Sequence, residues 1–99
     1  MKPKYLRMIQ RMDSSGPREW AVYVLRCENG SLYTGVAKDV DARFAQHKSG
    51  KGAAYTRIYA PIELVYRETD LTRSEALVKE AAIKRLSKKS KEKLICGRS

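Results

Sequence analysis

The chain is 99 residues and 11.3 kDa, 42% hydrophobic and 32% charged, with a formal net charge of +10. That is enough chain for one hydrophobic core and too little for two, in a composition neither polar enough for a disordered chain nor apolar enough for a membrane protein. With no run of about 18 apolar residues, and no apolar segment behind the basic start Met1–Tyr5, neither a spanning helix nor a secretory signal is expected.

The charge is unevenly placed. Residues 1–18 hold five basic residues against one acidic, residues 19–78 eight of each, and residues 79–99 eight basic against two acidic. A balanced middle between basic ends suggests a folded core whose flanks face a polyanion, most often nucleic acid, the alternative being a lysine-rich helix that only aids solubility. Cys27 and Cys96 are far apart and accompany a single histidine, which reads as reduced thiols and excludes a Cys/His metal site.

In chain order, Tyr5, Met8, Ile9 and Met12 mark one face of a short helix that ends at Asp13-Ser14-Ser15-Gly16-Pro17, so residues 1–17 read as a basic N-terminal arm and 18–99 as the domain. From Trp20 the residues become β-type, Ala21–Cys27 and then Ser31–Ala37 around Glu28-Asn29-Gly30, a hairpin pattern. A helix follows, with Asp39 as its cap, Val40 and Phe44 on its buried face and Gly50 at a left-handed end. Residues 51–61 read as loop and Ile62–Glu68 as a third strand. Thr72-Arg73-Ser74-Glu75 is a capping box opening a helix to about Leu86, and Ser87 or Ser90 opens a last basic helix ending near Cys96. The expectation is an α+β fold of order β-β-α-β-α-α, a small three-stranded antiparallel sheet flanked by helices.

The turn decides whether Tyr23 and Tyr33 share a face. A two-residue loop Asn29-Gly30 puts them on opposite faces, whereas a three-residue loop with Gly30 left-handed sets Tyr23 opposite Gly35 and Leu25 opposite Tyr33, with both phenols on one side. Gly35 then leaves space beside the Tyr23 ring for a ligand or a packed side chain. Arg43 and His47, four apart on the first helix, point the same way. Glu80 falls near Ala76, Leu77 and Ile83 on the later helix, which aims a carboxylate near the buried side, or else it makes a plain pair with Lys84. Tyrosine, arginine, histidine and a carboxylate are the groups phosphodiester cleavage asks for: a water activator, a cation for the developing charge and an oxygen ligand for a hard metal.

Ala21-Val22-Tyr23, then Tyr33-Thr34-Gly35, then Asp39–His47 resemble the GIY-YIG nuclease domain, specifically its small stand-alone bacterial members. The likeness extends through Gly50–Ala53, Tyr55-Thr56-Arg57, Leu64-Val65-Tyr66 and Ser74–Leu94, covering about residues 20–96, and Ala21 stands where the first triplet usually has glycine. The resemblance implies a metal-dependent DNA endonuclease of repair or recombination, related to the N-terminal domain of the excision-repair nuclease and to structure-resolving endonucleases. It implies that Tyr23 and Tyr33 line the site, Arg43 contacts the scissile phosphate, His47 is the polar group one turn on, and Glu80 is the one protein ligand to Mg²⁺ or Mn²⁺. A tyrosine, Tyr33 first and Tyr23 second, would activate the water. The basic residues expected at the nucleic acid are Lys48, Lys51, Arg57, Lys84, Lys88, Lys89 and Lys91. DNA is the expected partner, with RNA and a targeting protein left open and no membrane. With no signal or spanning segment and a DNA partner, the expected location is cytoplasmic and nucleoid-associated. The alternative is a non-catalytic nucleic-acid-binding module.

Overall fold

The computed structural model describes residues 16–97, so the expected N-terminal helix face lies outside the described residues. The elements are β1 (Trp20–Cys27), β2 (Leu32–Ala37), α1 (Val40–Lys48), α2 (Ala54–Ile58), β3 (Pro61–Leu71), α3 (Arg73–Lys84) and α4 (Lys88–Cys96). The three strands form one antiparallel sheet in the order β2-β1-β3. Among the described residues no helix is long and apolar enough to cross a membrane.

The hairpin closes through the three-residue turn. Gly30 has φ +83°, the Gly30 amide bonds the Cys27 carbonyl at 2.8 Å, and the Cys27 amide bonds the Ser31 carbonyl at 2.9 Å. Tyr23 consequently faces Gly35, and Leu25 faces Tyr33. β1 is the central strand and is buried on both sides, which is why it reads as a continuous apolar run. Val22 and Val24 pack with Tyr66, Leu71, Ala76 and Ile83, while Ala21, Tyr23 and Leu25 pack with Val40 on the other side. Ala21 sits in ordinary extended backbone, only 3% exposed, so this strand position needs no glycine.

Helix ends follow their local chemistry. Asp39 caps α1 by accepting from the Ala42 amide at 3.0 Å. At its other end Gly50, at φ +80°, lets the Lys51 amide return to the Gln46 carbonyl at 3.0 Å, a left-handed termination. Thr72 and Glu75 form the reciprocal box that opens α3. That helix stops at Lys84, short of the expected Leu86, because Ser87 takes over as the cap of α4 by accepting from the Ser90 amide. α4 is tied to β1 by a two-pronged bond from Arg26 to Glu92, at 3.0 and 2.7 Å, and to the hairpin tip by Lys88 donating to the Gly30 carbonyl.

Two segments differ from the sequence reading. β3 runs from Pro61 to Leu71, longer than Ile62–Glu68, because the ladder to β1 resumes at Leu71 opposite Trp20 after an irregularity at Thr69-Asp70, where Asp70 has φ +61° and its carbonyl accepts from Arg18. Residues 54–58, read as loop, are the helix α2. Its cap Ala53 offers no side chain, so local propensity is weak; the turn is held from outside, by Thr56 against His47 and Tyr55 against Ser31.

The middle of the second triplet carries a tension. The Thr34 hydroxyl is buried without a hydrogen-bond partner among the described residues, and its neighbour Gly35 has no room for a side chain, since a Cβ there would lie 2.5 Å from the Tyr23 hydroxyl. Thr34→Val, which removes the orphaned hydroxyl, should therefore raise unfolding stability by about 1 kcal/mol, and Gly35→Ala should lower it by about 1–3 kcal/mol through overpacking. Urea denaturation of the two variants checks both signs.

Candidate active site

Both tyrosines face α1, where they meet one imidazole. The Tyr23 hydroxyl lies 2.8 Å from His47 Nε2, and the His47 ring centroid is 6.0 Å from that of Tyr23 and 5.1 Å from that of Tyr33. The space that Gly35 leaves open is filled by the Tyr23 phenol itself. On the far side of the ring, His47 Nδ1 is 2.7 Å from Thr56 Oγ1, and a Cβ on Gly52 would collide with Nδ1. Tyr23, His47 and Thr56 are each no more than 2% exposed. A histidine near a helix end is here a core residue, closed in by a glycine and a one-turn helix.

The electrostatics follow from that enclosure. Burial pushes the Tyr23 phenol up to about 12, while the Arg43 guanidinium pulls it back, and Tyr33 and Glu80 add to the rise. Burial also holds His47 below the ordinary histidine value, with Arg43 acting in the same direction. One arginine therefore favours both the neutral imidazole and the ionised phenol. Arg43 is half-buried and donates to Gln46 Oε1 at 2.9 Å, and both its hydrogen bonding and its charge act on the Tyr23 phenol.

Glu80 comes from α3, across β1 and β2, and its charge reaches Tyr23 as the weakest of the five influences on the phenol. Its side chain is 21% exposed and pairs with Lys84 at 3.5 Å, so both sequence readings of Glu80 hold at once. Among the described residues no group of three His, Cys, Asp or Glu gathers for a metal. Magnesium and manganese that keep their waters and take substrate phosphate oxygens ask for only one or two carboxylates, and a single Glu80 fits that donor set.

The basic residues fall in two groups. Lys48, Lys51 and Arg57 are exposed around the His47 end of α1, with Lys48 over the Phe44 ring at 5.3 Å. Lys84, Lys88 and Lys89 are exposed and Lys91 half-buried around α4, but Lys84 is paired with Glu80 and Lys88 with the Gly30 carbonyl and Glu92. Lys88 is thus part of the scaffold as well as part of the basic surface. Between the groups, Tyr55 stacks on Tyr33 with ring centroids at 6.4 Å, meets Tyr59 at 5.2 Å and donates to Ser31 Oγ. Tyr55 and Tyr59 are exposed, and such rings offer stacking faces for nucleotide bases.

Thr56, Gly52 and Tyr55 were not singled out from sequence as site residues. Thr56 and Gly52 reach His47 only through the chain reversal at Gly50, which spacing alone does not reveal. The one local signal is a threonine set in a glycine-rich, weakly helical stretch.

A family model described as the GIY-YIG catalytic domain matches residues 19–93. A UPF0213 protein of Staphylococcus epidermidis is 55% identical over 74 residues, covering 75% of this chain and 90% of that one, and a UPF0213 protein of Staphylococcus saprophyticus is 50% identical over the same shares. Two solution NMR structures are similar: the UPF0213 protein BH0048 of Bacillus halodurans, at 44% identity and TM-score 0.51 over 78% of this chain and 82% of that one, and the protein EF2693 of E. faecalis, at 35% and 0.52 over 88% and 92%. With the paired tyrosine triplets, the arginine helix and the later glutamate in the order and register that the fold requires, the chain belongs to the GIY-YIG catalytic domain family.

Proposed function

We propose that this chain is a metal-dependent DNA endonuclease, with Tyr23 and His47 handling the proton of the attacking water, Arg43 on the scissile phosphate, Tyr33 lining the site, and Glu80 holding one Mg²⁺ or Mn²⁺. The observation that carries this reading is the 2.8 Å contact between the Tyr23 hydroxyl and His47 Nε2, at a phenol on which Arg43 and Glu80 both act. DNA repair or recombination is the setting that the family resemblance offers.

A phenol held near 12 is not ionised at neutral pH and is no free base. It works as a relay: Tyr23 passes its proton to His47 as it takes one from water, so phenolate never accumulates. That favours Tyr23 over Tyr33 as the water-activating residue, because Tyr23 has a base at hydrogen-bond distance. Arg43 carries a fixed positive charge for the non-bridging oxygens as the pentacovalent centre forms. A divalent cation, when bound, would add positive charge against the phosphate and lower the pKa of a water. Lys48, Lys51 and Arg57, exposed around the His47 end of α1, serve as phosphate contacts, and Lys84, Lys88, Lys89 and Lys91 extend the basic surface along α4. The rival reading, a non-catalytic nucleic-acid-binding module, is favoured by one observation, the engagement of Glu80 with Lys84.

Plasmid nicking with Mn²⁺ against EDTA, on the wild type and on Glu80→Gln, tests the reading. Cleavage should require metal and should vanish in the variant, while DNA binding persists and stability changes by less than about 0.5 kcal/mol, the worth of an exposed i,i+4 pair. Wild-type nicking that survives EDTA or the substitution would remove Glu80 and the metal from the mechanism.

The pH dependence has a definite sign. His47 accepts a proton only when neutral, and its pKa lies below the usual 6.5, so cleavage should hold down to that pH and fall only beneath it. Stability falls at higher pH than cleavage does: between about 6.5 and the lower, folded value the unfolded chain takes up a proton that the folded chain refuses. Denaturation midpoints followed from about pH 7 to about pH 5 should decline in the wild type and decline less in His47→Gln.

Replacing Lys48, Lys51 and Arg57 together by alanine should flatten the dependence of log affinity on log salt for duplex DNA by about 0.9 for each phosphate no longer neutralised. An unchanged slope in a filter-binding titration would make these three a solvated face.

A further inference from the structure

We propose that Thr56 is a positioning residue that fixes which nitrogen of His47 carries the proton, and so sets the direction in which Tyr23 can release its own. The catalytic consequence rests on the nuclease reading above; the assignment of the proton does not.

Three contacts run in a line through the core. Thr56 Oγ1 lies 3.0 Å from the Ala53 carbonyl oxygen, 2.7 Å from His47 Nδ1, and the Tyr23 hydroxyl lies 2.8 Å from His47 Nε2. A carbonyl only accepts, and a threonine hydroxyl has one proton to give. The 3.0 Å contact therefore takes the Thr56 proton, which leaves Oγ1 only lone pairs towards His47. Nδ1 must then be the protonated nitrogen, Nε2 the bare one, and the Tyr23 hydroxyl the donor to it. The opposite assignment, with Thr56 donating to Nδ1, leaves two oxygens facing each other at 3.0 Å with no proton between them. Because His47 and Thr56 are at most 2% exposed, water is not at hand on the Nδ1 side to repair that arrangement.

The same wiring accommodates the reaction. When the Tyr23 O–H bond breaks, its electron pair stays on the phenol oxygen and the proton forms an N–H bond at Nε2. The imidazolium keeps its Nδ1–H bond to Thr56 and its new Nε2–H bond to the phenolate, and the phenolate recovers a proton from the attacking water. No side chain has to rotate. Gly52, whose missing side chain lets the backbone close over Nδ1, completes the enclosure.

His47 is the single histidine of the chain, so its ring nitrogens can be read without ambiguity by NMR of ¹⁵N-histidine-labelled protein. At a pH where the ring is neutral, the wild type should show Nδ1 protonated and Nε2 bare. Thr56→Val should move the ring towards the Nε2–H form and slow metal-dependent nicking about tenfold or more, and Thr56→Ser should restore both. A wild-type ring in the Nε2–H form overturns the inference with no variant needed, as does a folded Thr56→Val whose ring is unchanged. A wild type with the Nδ1–H ring that Thr56→Val displaces, but with no nicking activity, upholds the Thr56 assignment and brings down the nuclease reading instead.

Discussion

Everything at the site depends on one register. The three-residue turn at Glu28–Gly30 sets Tyr23 opposite Gly35 and Leu25 opposite Tyr33, and a slip of one residue would send one tyrosine through the sheet to the side of Val22 and Val24. Gly35 is where that register becomes obligatory. The Tyr23 phenol lies across its backbone, so the two triplets fit only when the glycine of one meets the tyrosine of the other. From that crossing the phenol reaches His47, and from His47 the chain of contacts continues to α2.

The enclosure sets the chemistry by opposing two tendencies. Burial disfavours charge on both Tyr23 and His47, which keeps the resting pair neutral and stores the proton on the phenol. Arg43, at the rim, favours the charge distribution in which that phenol is ionised. A site arranged in this way rests uncharged and becomes ionic only when a proton moves.

Much of this was legible in the sequence, for physical reasons that can be named. The hairpin could be read because parity is binary: of a two-residue and a three-residue turn, only the three-residue one puts both tyrosines on one face. The caps at Asp39 and Thr72 were legible, and Ser87 as one of two serines, because a short polar side chain at a helix start has a local partner a few residues on. The helix α2 was not, since its stability comes from Tyr55 and Thr56 reaching partners 24 and 9 residues earlier in the chain. The burial of His47 was hidden for the same reason, because the groups that cover it, Gly52 and Thr56, arrive after the chain has turned back. The lysines of α4 could be counted as charge, yet the carbonyl that Lys88 serves lies 58 residues away.

The central strand has a consequence for how such a chain can change. Its odd-numbered residues Ala21, Tyr23 and Leu25 line the side of α1 and His47, and its even-numbered Val22 and Val24 meet the layer of α3 and α4. Neighbouring codons therefore answer to different selective pressures. Substitutions that repack the back layer act on side chains that do not touch the phenol or the imidazole. Glu80 is the exception, a residue carried by the back layer whose charge reaches Tyr23.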